Sequence, residues 1–325
     1  MKMRPKTPDE PGRVIVSTVP GGGGTLWRDG ERPRLPEWLK IRLSGAAAFP
    51  AVIGTVRDES LHTVCQSAHC PNLAECWGRG TATFMILGNI CTRRCAFCAV
   101  PSGRPDPGCD LEEADRVARA VARLQIRHAV ITSVDRDDLP DGGSELFARV
   151  IARIRETAPG VTVEVLTPDF QGDVAALGRV VAAAPEIFAH NLETVPRLYR
   201  NVRPGSWYAR SLDVLREARR LDPAMLVKTS LMLGLGETDD EVYAVMEEAH
   251  AAGVDIMTLG QYLQPDRHHW PVARFVHPDE FAAIAARGRG IGLAWVEAGP
   301  LVRSSYRSES QLALRRGAGA APTHG

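Results

Sequence analysis

From residue 82 onward, short runs of apolar residues alternate with stretches in which apolar positions recur every three or four residues. The runs cover 82–87, 129–134, 161–166, 186–189, 226–233 and 254–259, with a seventh candidate at 293–296. Runs of this length suit strands buried on both faces, and the spacing between them suits amphipathic helices. Leu111, Ala114, Val117, Ala118, Val121 and Leu124 form one such stripe, behind Asp110 and Glu113 in the spacing of a capping box. Thr238 and Glu241 repeat that spacing ahead of Val242, Val245, Met246 and Ala249, and Gly253 stands where a C-terminal cap belongs. Six or seven successive βα units predict an α/β fold whose parallel sheet curves into a barrel rather than an open doubly wound sheet. In such barrels, chemistry gathers at the C-terminal ends of the strands.

The chain before Val64 is rich in Pro, Gly and Arg, and the four glycines at 21–24 cannot hold regular structure. It reads as a partly ordered extension, with short segments at Pro36–Leu43 and Phe49–Val56. A length of 325 residues, 44% of them hydrophobic, is enough to bury a sizeable core and excludes a disordered tail or a small disulfide-stapled scaffold. Lys plus Arg and Asp plus Glu each number 39, so no global field draws in nucleic acid or an anionic membrane. The opening residues lack an apolar signal core and no later run is long enough to span a bilayer, so the expected compartment is the cytoplasm.

All seven cysteines lie between Cys65 and Cys109. An odd count without a secretory signal speaks for reduced thiolates at a local metal site rather than a disulfide framework. Cys91, Cys95 and Cys98 form C-x3-C-x2-C directly after the first barrel strand, which brings three thiolates to the catalytic face. A [4Fe–4S] cluster has four iron corners and usually takes four thiolates, so three leave one iron open to a small molecule. A zinc knot completed by a remote histidine is the alternative, although zinc knuckles prefer paired C-x2-C arms. Upstream, Cys65, Cys70 and Cys76 make C-x4-C-x5-C, too far out of register to complete the first set. Two triplets predict two clusters.

The first triplet, with Phe97 before its last cysteine, resembles the radical S-adenosylmethionine superfamily. Together with GTATFMILGNICTRRCAFC, SVDRDDLPDGGS, HNLETVPRLY, VRP, GLGET, GQYLQP and the terminal VRSSY, the two spacings closely resemble the lipoyl synthase family from about Cys65 to Tyr306. The resemblance implies a partial (β/α)6 TIM-type barrel at 81–298. To it are added an N-terminal extension (1–64), an auxiliary-cluster segment (65–80) and a C-terminal segment with a flexible tail (299–325). It implies a sulfurtransferase that inserts two sulfur atoms at carbons 6 and 8 of an octanoyl chain on a carrier lysine. The cofactors are two [4Fe–4S] clusters and S-adenosylmethionine. The implied partners are octanoylated lipoyl carrier domains (2-oxoacid dehydrogenase E2 subunits and the glycine cleavage H protein), a ferredoxin- or flavodoxin-type electron donor and an iron–sulfur assembly protein. Cys91, Cys95 and Cys98 would hold the radical-generating cluster. Cys65, Cys70 and Cys76 would hold an auxiliary cluster whose fourth ligand is Ser305, with Ser304 as the alternative. A serine oxygen is a harder and more labile iron ligand than thiolate, which suits a cluster dismantled to give up sulfur.

The same resemblance assigns Gly142 and Gly143 to the methionyl group of the cofactor, though a Gly-Gly pair is also an ordinary turn. Gly234 and Glu237, after the fifth strand, would border the adenosine, with a helix-start glutamate as the plainer reading. Asn191 and Glu193, past the fourth strand, would orient the ribose or methionyl part. Arg203 and Gln261 lie at similar depth, where salt bridging and capping explain them equally well. Ala96, Ala99 and Ser308 depart from the family pattern without touching a ligand position. Cys109 reads as a bystander, and His268 and His269 as a solvated loop. Other two-cluster enzymes of the superfamily, the methylthiotransferases and biotin-synthase relatives, are the nearer alternative, and a non-catalytic zinc-binding module the farther one.

Overall fold

Among the described residues, eight strands form one sheet in strict sequence order, with every neighbouring pair parallel except the first, in the computed structural model of the chain. The structure describes residues 35–40, 49–67, 70, 72–79 and 81–316. In chain order α1 (Phe49–Asp58) leads to β1 (His62–Thr63), α2 (Val64–Ser67) and α3 (Leu73–Gly78). Then come β2 (Thr81–Ile86), α4 (Glu113–Arg123), β3 (His128–Ser133), α5 (Ser144–Thr157), β4 (Thr162–Leu166), α6 (Val174–Ala182), β5 (Ile187–Ala189), α7 (Pro196–Val202) and α8 (Tyr208–Leu221). The chain continues through β6 (Leu226–Leu233), α9 (Asp239–Ala251), β7 (Ile256–Gln261), α10 (Pro278–Ile291), β8 (Trp295–Gly299), α11 (Ser308–Gln311) and α12 (Ala313–Arg316).

The seven apolar runs are β2 to β8, each with its ends displaced by three residues or fewer. Strand β1, only two residues long, gave no alternation to read; it pairs antiparallel with β2, with His62 opposite Met85. Phe49–Val56 lies in α1, and within Pro36–Leu43 residues Glu37–Leu39 form a 3-10 turn. The glycines at 21–24 and residues 41–43 lie outside the described residues.

The cap at Thr238 forms as expected, with the Thr238 hydroxyl accepting from Glu241 N and the Glu241 carboxylate accepting from Thr238 N. Gly253, at φ 85°, follows α9 and donates to His250 O. The capping box expected at Asp110 and Glu113 does not form. Glu113 is instead the first residue of α4, and its buried carboxylate accepts from Leu87 N at 2.8 Å. A backbone N–H orphaned where β2 ends, at a left-handed Leu87 (φ 68°), outbids the local cap.

Because the order runs from β1 to β8 without return, the sheet is a partial barrel with an open seam. The C-terminal segment occupies that seam. Thr81 and Thr83, two apart and so on one face of β2, bond Glu309 Oε2 at 3.1 Å and Ser305 Oγ at 3.0 Å. A Cβ on Gly260 of β7 would stand 2.0 Å from Val302 O, so only glycine lets the segment lie so close. Leu312 and Leu314 pack on Ile187, Leu226 and Ile256 at the N-terminal ends of β5, β6 and β7. Inside the sheet, Lys228 Nζ meets both oxygens of Glu164 at 2.9 and 3.1 Å, and His128 Nε2 lies 3.5 Å from Glu164 Oε2. Burial would raise the Glu164 carboxyl, but Lys228 outweighs it and holds the group ionised.

Candidate active site

The loop leaving β2 carries Cys91, Cys95 and Cys98 and is pinned on several sides. Cys91 N donates to Pro101 O, Gly103 N donates back to Cys91 O, and Cys98 N donates to Cys95 O. Ala96 bridges two other elements: its N–H donates to Val202 O at the end of α7, and its carbonyl accepts from Trp270 N at 2.7 Å. Thr92 ties the loop to the end of β3, with both N and Oγ1 donating to Asp135 O.

Between the first two cysteines, Arg93 turns inward and organises a cluster of acids. Its Nε and Nη2 each lie 2.7 Å from Asp137, Nη2 also reaches Asp169 at 2.6 Å, Nη1 donates to Ser206 at 3.1 Å, and Asp135 Oδ1 stands 3.3 Å away. Asp169 is fully buried and also takes Arg210 at 2.8 Å. Burial alone would raise Asp169, but Arg93, with His190 and Arg210 beyond it, holds the carboxyl well below the usual range. Sequence reasoning missed this hub, because its members come from the loop and from the ends of β3, β4 and α7, at no fixed spacing.

The three thiols face Asp135 and Glu193 across the barrel mouth. Burial pushes Cys91 up to about 11 and Cys95 up to about 12, and raises Cys98; Asp135 pushes the same way, while Arg203 opposes it at Cys95. Arg203 is buried, donating to Asn191 O and Tyr199 Oη at 2.7 Å each. It therefore brings a positive charge to the mouth. Asn191 Nδ2 donates to Glu193 Oε1 at 3.1 Å, whereas the buried Asn191 Oδ1 has no partner among the described residues. Glu193 adopts φ 68°, a conformation costing about 1–3 kcal/mol for a non-glycine residue, while its N–H and C=O still pair with Ser230 and Met232 of β6. An orphaned acceptor beside a strained carboxylate fits a polar ligand at this spot.

The remaining candidates have clear structural duties. Glu237 accepts from Gly234 N at 2.6 Å and Leu235 N at 2.9 Å, so both its oxygens close the turn after β6. A Cβ on Gly234 would meet Gln261 Nε2 at 2.3 Å and Arg274 O at 2.5 Å. Gln261 in turn donates to three carbonyls and accepts from Val276 N. Gly142 (φ 59°) and Gly143 (φ 86°) open α5, and a Cβ on Gly143 would overlap Leu87 Cδ1 at 2.2 Å. Gly142 also lines a cavity of about 380 Å³ with Arg136, Asp137, Phe170 and Gln171. His268 is exposed as expected. His269 is not simply solvated: its ring joins Asp266 Oδ1 (2.8 Å) to Cys98 O (3.0 Å), and so straps the loop after β7 onto the cysteine loop. Cys109 is half-buried near Glu113 and Asp141, apart from both triplets.

The upstream triplet forms a second group at the seam. Cys70 N donates to Cys65 O, Cys76 N donates to Asn72 O, and the buried Asn72 donates through Nδ2 to Leu301 O at 2.6 Å. Burial pushes Cys65 up to about 11 and Cys76 up to about 12. Cys70 adds repulsion to both, so the three thiols form one electrostatic group. Burial raises Cys70 as well, and Arg303 opposes it. Thr83 bonds Ser305 Oγ at 3.0 Å and stands beside Cys65, where it favours the ionised thiol, which brings the serine hydroxyl to the triplet. Arg79 to Glu309 at 2.9 Å and Glu75 to Tyr306 and Arg307 at 3.3 to 3.5 Å lace the same two segments together on the outside.

Among the described residues, no group of His, Cys, Asp or Glu is arranged around a single metal ion. All seven cysteines are free. Each triplet is a set of wholly or partly buried thiols whose ionised form burial disfavours more than the nearby Arg203 and Arg303 favour it, the donor chemistry that iron corners satisfy one thiolate at a time.

The Radical SAM superfamily model matches residues 85–249. The lipoyl synthase of Rubrobacter xylanophilus is 54% identical over 284 residues, 87% of this chain and 88% of that protein. That of Thermus thermophilus is 55% identical over 275 residues, 84% and 85% of the two chains. Among solved structures, the FeFe-hydrogenase maturase of Carboxydothermus hydrogenoformans superposes with a TM-score of 0.54 at 13% identity, covering 82% of this chain and 74% of that one. Methylornithine synthase gives 0.51 at 13% identity, covering 67% and 70%. These two show the shared partial-barrel fold. At half identity across most of its length, with the superfamily model matched over half of it, the chain belongs to the lipoyl synthase family of radical S-adenosylmethionine enzymes.

Proposed function

We infer that the chain is a sulfurtransferase that inserts two sulfur atoms, at carbons 6 and 8, into an octanoyl chain amide-linked to a lysine of a lipoyl carrier domain. One structural observation favours this over a methylthiotransferase, a biotin-synthase-like enzyme or a zinc-binding module. The C-terminal serine pair is folded back against the upstream thiol triplet, with Ser305 Oγ bonded at 3.0 Å to Thr83, the residue beside Cys65. On this reading residues 65–80 and 299–325 build a sulfur-donating site, and 81–298 a radical-generating barrel.

Cys91, Cys95 and Cys98 would hold one [4Fe–4S] cluster with an open iron. It supplies the electron and the coordination site for reductive cleavage of S-adenosylmethionine to a 5′-deoxyadenosyl radical. Cys65, Cys70, Cys76 and Ser305 would hold a second cluster, the source of sulfur. The chain's own residues then have definable tasks. Arg93 fixes the cysteine loop to the ends of β3 and β4. Asn191, Glu193 and Arg203 offer an acceptor, a carboxylate and a buried cation to the polar parts of the cofactor. Glu237 holds the turn at Gly234 open against the sheet, and Gly142 and Gly143 keep side chains off the approach after β3. The partners in this reading are octanoylated 2-oxoacid dehydrogenase E2 subunits and the glycine cleavage H protein, a ferredoxin- or flavodoxin-type donor and an iron–sulfur assembly protein, all in the cytoplasm.

The test is anaerobic incubation of reconstituted protein with S-adenosylmethionine, dithionite and an octanoyl-lysine peptide. 5′-Deoxyadenosine together with mono- and dithiolated peptide is the expected result. Cofactor cleavage that never yields a thiolated peptide, or methylthiolated product instead, would overturn the assignment.

A further inference from the structure

We propose that Thr83 is the positioning residue of the auxiliary site, its hydroxyl holding Ser305 Oγ beside Cys65. The inference rests on the reading of Ser305 as a ligand and adds what places it there. Thr83 sits in the middle of β2, buried, with Val130 of β3 paired to it on one side and β1 pairing its neighbour Phe84 on the other. Its hydroxyl therefore has a fixed origin. Ser305 has none: it lies in the turns at 304–307, half-buried, outside any helix or strand. The bond between them, 3.0 Å from Thr83 Oγ1 to Ser305 Oγ, joins positions 222 residues apart.

The other ties between the two segments do not reach the serine hydroxyl. Asn72 holds Leu301 O, Arg79 and Thr81 hold Glu309, four residues to either side of Ser305, and Glu75 meets Tyr306 and Arg307 on the outside. They fix the path of the chain and leave the Ser305 rotamer free. A threonine hydroxyl carries one proton, donated here to the Ser305 oxygen, which no apolar side chain of the same shape can supply. Valine at 83 would fill the volume and keep the strand but leave the Ser305 oxygen unanchored.

The experiment uses the full chain with Cys91, Cys95 and Cys98 changed to Ala, so that only auxiliary iron is read. Anaerobic iron release to a ferrous chelator is timed, and Mössbauer spectra are recorded for the same samples. Thr83→Val and Thr83→Ala should release iron about tenfold faster, equivalent to about 1.4 kcal/mol, and broaden the signal of the oxygen-ligated iron. Thr83→Ser should stay within about twofold of the parent, since the hydroxyl is retained. Ser305→Ala should remove the oxygen-ligated iron signal. Parent-like release from Thr83→Val and Thr83→Ala while Ser305→Ala alters the spectrum would overturn the role of Thr83 and leave Ser305 as ligand. Equal acceleration in the Ser and Ala variants would assign the effect to packing and also overturn it. A parent-like spectrum in Ser305→Ala would remove the ligand itself, and the proposal with it.

Discussion

Replacing Arg93 by Met should separate the cysteine loop from the barrel. The guanidinium is 3% exposed and serves three carboxylates at 2.6 to 3.3 Å. Their losses differ. Asp137 is 32% exposed and can turn to water, and Asp169 keeps Arg210, but Asp135 loses its ion pair in a site where burial already raises its carboxyl. Breaking a buried pair by removing one partner costs about 3–5 kcal/mol, a large share of the roughly 5–15 kcal/mol that holds a domain together. The melting temperature should therefore fall by on the order of 10 °C. Because the site is buried, added salt should not rescue it. The loss should also be local: iron bound by Cys91, Cys95 and Cys98 should drop while auxiliary iron stays. Differential scanning calorimetry and iron analysis on anaerobic protein measure both. Arg93→Lys, which keeps charge but not the two-pronged contact to Asp137, should fall between. An Arg93→Met protein with the parent's melting temperature and iron content would refute the reasoning, as would one that loses iron equally from both triplets.

Further expectations concern the two metal sites and the acid side of the pH scale. Cys91, Cys95 and Cys98 changed together to Ala should halve bound iron and abolish S-adenosylmethionine cleavage; full iron and sulfide in that variant would contradict the assignment. Cys65, Cys70 and Cys76 changed to Ala should leave 5′-deoxyadenosine formation intact and remove sulfur insertion, and any thiolated peptide would refute the donor role. Ser305→Ala and Ser305→Cys should both impair lipoyl formation, the first by removing the labile ligand and the second by replacing it with a tighter thiolate; normal product from both would pass the role to Ser304 or to no protein ligand. His190, fully buried between Thr167 O and Ser211 Oγ, is pushed down from 6.5 to about 3 by burial, with Arg203 adding to it. Between those values the unfolded chain binds a proton that the folded chain refuses. Stability should therefore fall by about 1.4 kcal/mol per pH unit as pH drops below 6.5, and thermal melts of His190→Gln should show a shallower slope.

The barrel was legible because its signal is local. Each of β2 to β8 is a short, mostly apolar run, interrupted by a few buried polar residues such as Glu164 and Lys228, and a run announces itself within a few residues. Strand β1 was not, since two residues carry no period and only the neighbouring Met85 and Phe84 define it. The two triplets were legible for the same reason, as was the cap at Thr238. The failed cap at Asp110 shows where local reading stops: Glu113 had two backbone amides to choose between, and the one presented by a distant strand end was the buried one. Arg93, Asp169 and Arg210 form a network with no spacing at all, and Thr83 reads in sequence as an ordinary β-branched strand residue. His269 looked solvated because nothing in its neighbourhood announces a carbonyl 171 residues away.

The two thiol triplets are held in different ways. The cysteine loop after β2 is anchored to interior elements: Asp135, Val202 and Trp270 fix its backbone and Arg93 roots it in buried acids. Nothing in that arrangement requires the loop to open between turnovers. The upstream triplet is held differently, between a short helix and a C-terminal segment that meet at the seam. Apart from the Thr83, Asn72 and Thr81 contacts, the ties between that helix and that segment are surface pairs, Arg79 with Glu309 and Glu75 with Tyr306 and Arg307. Exposed pairs of this kind contribute only about 0–1 kcal/mol each. The C-terminal segment is held instead by the sheet: Val302 O lies against Gly260, Leu312 and Leu314 cover Ile187, Leu226 and Ile256, and Ser308 and Gln311 are fully buried. Ser305 is therefore carried to the upstream triplet by a segment docked on the strands, and the triplet's own helix adds little to that docking.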